Sequence, residues 1–258
     1  MDKASKTNLP FAVIRAAFLL LLALPGVASA AWPFDEEWTR RIEAKALTRF
    51  VQHGVERADE SVQPTAWLVS ESLKLGTWIN FPLSDTRSHE FALAAAYTHR
   101  FENGIAIEFD VTHYHLRDAR AGHPGHTAEL SLIFSRPVGP GRVEATYLRD
   151  VKRQADLGEV AYAGEWALKS LGAFLNYRAY LGAKSAADVL PNLPGRKIAD
   201  SYTYFGADLT VPYRVGGATV VTAGVHYAGT QGQRPFWSPI GARPGSKLWA
   251  TLAATYEF

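Results

Sequence analysis

The chain has 258 residues, with 27 lysines and arginines against 25 acidic residues, a formal net charge of +2, and no cysteine. Such a balance argues against a nucleic-acid partner. Without thiols, neither a disulfide-stapled secreted fold nor a thiolate metal site is available.

Lys3, Lys6 and Arg15 flank and precede an apolar run from Ala16 to Leu24, followed by Ala28-Ser29-Ala30, a small-residue processing site. Residues 1–30 are therefore expected to be a cleaved export signal, since the run falls well short of the ~20 apolar residues of a spanning helix. Removing Asp2, Lys3, Lys6 and Arg15 with it leaves acids and bases in balance. In residues 31–44, Asp35 offers an N-cap, with acids in the next turn and basic residues beyond. This periplasmic segment is expected to be a short helix or a solvated tail.

From about Lys45 the pattern changes to period two, and residues 45–258 are expected to form one all-β barrel of twelve antiparallel strands. The strands fall near 45–55, 62–70, 73–83, 89–101, 104–117, 126–138, 141–151, 158–168, 171–182, 201–213, 217–229 and 247–258. The clearest alternations are Phe91, Leu93, Ala95 and Tyr97; Ile105, Ile107, Phe109 and Val111; Ala128, Leu130, Leu132 and Phe134; and Phe205, Ala207, Leu209, Val211 and Tyr213. Tight connections at Glu71–Leu73, Glu102-Asn103-Gly104, Gly139-Pro140-Gly141, Ser170–Gly172 and Arg214–Gly217 carry hairpin-turn chemistry. Each alternates with a longer connection. Short turns on the periplasmic side and longer extracellular loops, with both termini on the short-turn side, are the outer-membrane pattern and require an even strand count.

A soluble barrel would place its apolar face inside. Here the other face is largely Gly, Ala, Ser and Thr with scattered charge, unlike the Lys/Glu-dense exterior of a soluble domain. Twelve strands also enclose more space than apolar side chains normally fill. The apolar face is therefore expected to meet lipid, with aromatic residues such as Tyr97, Phe101, Phe134, Tyr213, Tyr227, Tyr256 and Phe258 near the interfaces.

The final stretch, KLWATLAATYEF, places Leu248, Ala250, Leu252, Ala254, Tyr256 and Phe258 on one strand face. A terminal Phe with apolar or aromatic residues at every second position before it resembles the C-terminal signal of bacterial outer-membrane β-barrels. The resemblance implies that Tyr256 and Phe258 are read by the barrel assembly machinery. The segment from Phe50 through His53-Gly54-Val55 and Gln63-Pro64 to Gly76-Thr77-Trp78-Ile79-Asn80 loosely resembles the opening of the TorF family of proteobacterial outer-membrane proteins. His53 stands where that family prefers Arg, and the likeness implies no catalytic residue.

By phase, Glu108, Asp110, Glu129, Glu144, Glu165, Asp208 and Glu257 point inward with Arg100, Arg178 and Lys247, a lumen lining with an acidic excess that would favour cations. The alternative is that these charges pair across strands and fill the interior. The loop from Thr230 to Ser246 carries Arg234, Phe236, Trp237 and Arg243 between prolines, and these four are expected to constrict the extracellular mouth. His113, His115, His123 and His126 gather at one end without the spacing of a recognised metal site. No cofactor, no metal ligand set and no catalytic residue is expected, since no phosphate-cradling loop, zinc helix motif or nucleophile elbow occurs. The expected function is a channel or porin for small solutes in the bacterial outer membrane, in contact with lipid and lipopolysaccharide. Two alternatives stay open: a lipid- or lipopolysaccharide-modifying barrel enzyme, and a structural or surface-interaction barrel.

Overall fold

Alternation with period two covers the chain from Thr39 to Glu257, and in the computed structural model it closes a barrel. The structure describes residues 37–83, 89–117, 125–185, 187–190, 193–199, 201–232 and 245–258. Twelve antiparallel strands follow one another around the wall. They are β1 (Thr39–Leu47), β4 (Ser61–Val69), β5 (Leu73–Pro82), β6 (Glu90–Arg100), β7 (Ala106–Leu116), β8 (His126–Val138), β9 (Gly141–Asp150), β10 (Ala155–Leu168), β11 (Ala173–Lys184), β14 (Tyr202–Arg214), β15 (Thr219–Gly232) and β16 (Lys247–Glu257). Two short hairpins lie outside this ladder, β2 (Phe50–Gln52) with β3 (Val55–Ala58), and β12 (Ala187–Leu190) with β13 (Leu193–Ala199). Strand lengths run from 9 to 14 residues, enough to cross a bilayer at the usual tilt.

Closure depends on the two ends of the chain. β1 pairs with β16 from Arg41↔Glu257 to Leu47↔Thr251 and, on its other side, with β4 from Thr39↔Val69 to Leu47↔Ser61. Arg40 and Phe258 exchange both backbone hydrogen bonds at 3.0 Å, so the last residue is tied into the first strand. The twelve-strand sheet thus closes on itself, which removes the usual liability of a large open sheet.

Two expectations for the opening segment need correction. Residues 39–44 are strand where a short helix or a solvated tail was expected, and the barrel begins at Thr39 rather than at 45. The charges that suggested helical spacing alternate instead: Arg41, Glu43 and Lys45 share the inward face, where Arg41 meets Glu257 at 2.6 Å and Glu43 accepts from Thr255 at 3.1 Å. A strand at this position satisfies the open ladders of β16 and β4, an energetic gain that local capping cannot match. Second, the strand expected at 45–55 is divided. Its first residues end β1, and the rest enters the β2–β3 hairpin, whose turn residues His53 and Gly54 have φ of 50° and 74°. Two successive positive φ values define a type I′ turn.

The connections at the end that carries the termini are short, spanning 70–72, 101–105, 139–140, 169–172 and 215–218. At the opposite end, called the loop end below, the first connection holds the β2–β3 hairpin. The exposed face of the wall is apolar: Leu93, Phe109, Leu132, Val160, Leu181, Leu248 and Leu252 all stand in the open. Trp166 is 69% exposed, and with Tyr97, Tyr213, Tyr256 and Phe258 it rims the end that carries the termini. Tyr147, Phe205 and Tyr227 occupy the other rim. The inward face is small or polar, as Ala92, Ala96, Ala161, Ala253, Thr98 and Ser131 show by their burial.

Candidate functional site

The barrel interior is divided by the β2–β3 hairpin, which folds inward from the loop end. Arg57 of β3 meets Glu90 of β6 at 3.1 Å, and Phe50 of β2 packs on Trp78 of β5 with ring centroids 5.5 Å apart. The hairpin tip reaches β14, where a Cβ on Gly54 would stand 2.6 Å from Tyr204 Cβ. β6 and β14 are six strands apart around the ring in either direction, so the hairpin spans the diameter. Only glycine satisfies both the turn φ and this approach.

Apolar burial secures the hairpin. Val55 joins Leu148, Leu157, Tyr202 and Tyr204 in one buried cluster, with Tyr180 packed against it. At about 1.5–3 kcal/mol for each large side chain removed from water, this cluster offsets the ordering of a hairpin too short to stand alone. Charge secures it as well: Glu56, nearly fully buried, lies 3.7 Å from Lys247 and 3.9 Å from Arg49. Burial, with the Lys184, Arg57 and Arg178 cations adding to it, holds the His53 imidazole well below the ordinary histidine value, so it is neutral at the turn.

Behind the hairpin the loop end is packed with further polar groups. Asp150 is fully buried and accepts from Thr127 Oγ1 at 2.6 Å, from the Arg153 backbone N–H at 2.9 Å and from its guanidinium at 3.1 Å. Gln63 donates to Asn80 at 3.0 Å, and Glu129 is buried nearby on β8.

Below the hairpin lies a cavity of about 500 Å³, roofed by Phe50, Val51, Gln52 and His53. Its wall carries opposed charges. Arg178 of β11 reaches Glu159 at 2.5 Å and Glu144 at 3.4 Å, and its guanidinium lies 5.0 Å from the centroid of the Tyr180 ring. Tyr204 donates to the second oxygen of Glu159 at 2.7 Å. Lys45 meets Glu43 at 3.1 Å. On the next strands, His226 Nδ1 lies 2.8 Å from Asp208 Oδ1, and His226 Nε2 lies 2.9 Å from Thr251 Oγ1. The imidazole is stacked on Trp249 at 5.2 Å with an interplanar angle of 15°.

The ten residues expected to line the lumen fall into four places. Arg178 and Asp208 line the cavity, abreast through the register Arg178↔Asp208, and Glu144 meets Arg178 at 3.4 Å from β9. Glu108 sits lower, accepting from Lys74 at 2.8 Å and Thr98 at 2.7 Å, with Asp110 beside it accepting from Thr112 at 3.0 Å. Glu129 and Lys247 belong to the packed loop end. Arg100, Glu165 and Glu257 lie toward the end that carries the termini, Arg100 bonding the Glu71 carbonyl at 2.6 Å. Three of the acids read by phase, Glu257, Glu108 and Glu144, meet cations from Arg41, Lys74 and Arg142, and two further acids, Glu43 and Glu90, meet Lys45 and Arg57. Arg234, Phe236, Trp237 and Arg243 lie outside the described residues, as do residues 1–36 and His123. His113 and His126 stack at 6.1 Å on the outer face. Among the described residues no group of three or more metal-ligating side chains forms.

Two elements escaped the sequence. The inward hairpin was hidden because His-Gly is a weak turn signal beside Asn-Gly, and because Val51 and Val55 read as a continuation of β1. The Asp208–His226–Thr251 contact was hidden because phase puts each residue inward but says nothing of register. The pairings Asp208↔His226 and Gly224↔Thr251 bring them abreast.

No family model matches this chain, and no curated protein matches it in sequence. Among solved structures it is similar in fold to an outer membrane channel from Pseudomonas putida F1, with a TM-score of 0.53 at 11% identity over 88% of this chain and 97% of that one. The translocator domain of the autotransporter NalP from Neisseria meningitidis is more distant in shape, at a TM-score of 0.46 and 14% identity over 96% and 98% of the two chains. The outer membrane protein OprD from Pseudomonas aeruginosa reaches 0.40 at 11% identity, over 88% of this chain and 66% of that one.

Proposed function

We propose that this barrel spans the bacterial outer membrane and passes small polar solutes through an interior constricted by the β2–β3 hairpin. The observation that carries the proposal is the inversion of the wall. Large apolar side chains are exposed all around the outside while small and charged ones face a roofed cavity of about 500 Å³. A contiguous apolar surface of that extent is foreign to a soluble monomer and native to one facing lipid. The similarity in fold to an outer membrane channel points the same way. On this assignment the termini and short turns are periplasmic, the hairpin enters from the extracellular side, and the apolar belt contacts lipid and the acyl region of lipopolysaccharide. Tyr256 and Phe258, on the lipid face of the closing strand, are where assembly machinery would engage.

Paired charges along the cavity wall, Arg178 with Glu159 beside Asp208 and Lys45 with Glu43, favour dipolar or weakly charged solutes over simple ions of either sign. The hairpin supplies the constriction in this proposal. The loop carrying Arg234, Phe236, Trp237 and Arg243 remains a candidate for a second one at the mouth. The test is conductance in a planar bilayer for the refolded protein and for a variant in which residues 50–58 are replaced by a short Gly/Ser linker. Small, noisy conductance that becomes large and steady on replacement is the expected result. Closed traces from both proteins, each shown to be folded by heat-modifiable migration, would reject the channel and favour a surface-interaction barrel.

A further inference from the structure

The contact between Asp208, His226 and Thr251 has the order of a nucleophilic relay. A carboxylate only accepts hydrogen bonds, so Asp208 at 2.8 Å selects the tautomer with its proton on Nδ1. Nε2 is then left with its lone pair directed at the Thr251 hydroxyl 2.9 Å away. That is the arrangement in which a base activates a hydroxyl while an acid orients the base. The ring is fixed by its stacking on Trp249. All three side chains line the cavity beneath the hairpin.

Gly224 is what allows the reacting pair to meet. A Cβ on Gly224 would lie 2.6 Å from Thr251 Oγ1 and 2.7 Å from His226 Nε2, and 3.0 Å from Thr210 Cγ2. Gly224 has no positive φ among the backbone outliers, so turn conformation does not require glycine there. The absent side chain instead lets the Oγ1–Nε2 contact form directly against the Gly224 backbone.

We propose that Asp208, His226 and Thr251 form an acyl-transfer site that hydrolyses small carboxylic esters inside the barrel. Thr251 Oγ1 attacks the ester carbonyl carbon, and its proton passes to His226 Nε2, giving an imidazolium held by Asp208. The tetrahedral adduct collapses, the bond to the leaving alkoxide breaks, and that oxygen takes the proton from Nε2. Water then attacks the acyl-threonine, giving its proton to Nε2. The acyl–Oγ1 bond breaks, the carboxylic acid leaves, and Thr251 recovers its proton. Lys45 and Arg178 are the cations that line the cavity, and Trp249, Tyr180 and Phe50 supply apolar wall for the acyl or alcohol portion. A cavity of about 500 Å³ admits a drug-sized ester and excludes a whole lipid.

The site stands whether or not the barrel conducts. The test uses the full barrel refolded in a detergent without ester bonds, with p-nitrophenyl acetate as probe. The wild type is expected to release p-nitrophenol with an initial burst and to carry an acetyl group on Thr251, located by peptide mass spectrometry. Thr251→Val, close in shape and equally suited to a strand, should abolish the adduct, whereas Thr251→Ser should keep it. His226→Gln should slow acylation on the order of 10²-fold, the usual contribution of a general base. Heat-modifiable migration shows each variant to be folded, so loss of the barrel is separated from loss of the relay. No acetyl group on Thr251 in the folded wild type, or equal hydrolysis by Thr251→Val, would overturn the proposal.

Discussion

Glu56, Glu90 and Asp150, at the loop end of the interior, are 2%, 1% and 0% exposed, while Arg41 and Glu257, at the end with the termini, keep 45% and 40% of their side-chain exposure. Both ends place acids against bases inside the barrel. At the loop end the charges are desolvated, so each partner depends on the other. At the other end water screens the pair, and either partner is dispensable. The comparison teaches that charge on the inner wall is structural where the hairpin covers it, and sets the local potential where it does not.

The difference can be broken most severely at the covered end. Asp150→Ala leaves the Arg153 guanidinium and the Thr127 hydroxyl without their acceptor, and about 3–5 kcal/mol should be lost, the cost of orphaning a buried ion. Urea unfolding of the refolded barrel in micelles measures it. A loss below about 1 kcal/mol would mean that water enters behind the hairpin and that the two ends are alike.

The wall itself gives a second contrast. Leu132, half exposed at the middle of β8, faces outward. Leu132→Arg should destabilise by about 2–4 kcal/mol in lipid vesicles if this height is the bilayer midplane. In detergent micelles, whose surface adapts, the effect should shrink. A tolerated arginine in vesicles would place Leu132 outside the hydrocarbon.

The smallest effect belongs to the wet end. Arg41→Ala removes a 2.6 Å contact to Glu257, yet both side chains are solvated, and less than about 1 kcal/mol should follow. Added salt should reduce that effect further. A larger, salt-insensitive loss would show that closure between β1 and β16 rests on this pair rather than on the ladder.

Much of the wall was readable from residues alone. Twelve strands, their alternation with short turns at Glu102-Asn103-Gly104 and Gly139-Pro140-Gly141, and the outward phase of Leu93, Phe109 and Leu132 all follow from period two and turn chemistry, which are local. β1 was not readable to the same degree. Arg41, Glu43 and Lys45 fit a helix or a strand equally until β16 and β4 are there to pair with. The inward course of the hairpin depends on Tyr204, Trp78 and Glu90, each remote in sequence.

The candidate relay shows the same division. Asp208, His226 and Thr251 each lie on the inward phase of a strand, and the sequence by itself determined that they face the interior. Which residue stands beside which was decided by the register of β14, β15 and β16, through Asp208↔His226 and Gly224↔Thr251. A strand's side-chain period is two for any register that keeps the lipid face outward, so sliding a pair by two residues preserves every facing and changes every neighbour. Facing is thus a property of the chain, and adjacency a property of the closed barrel.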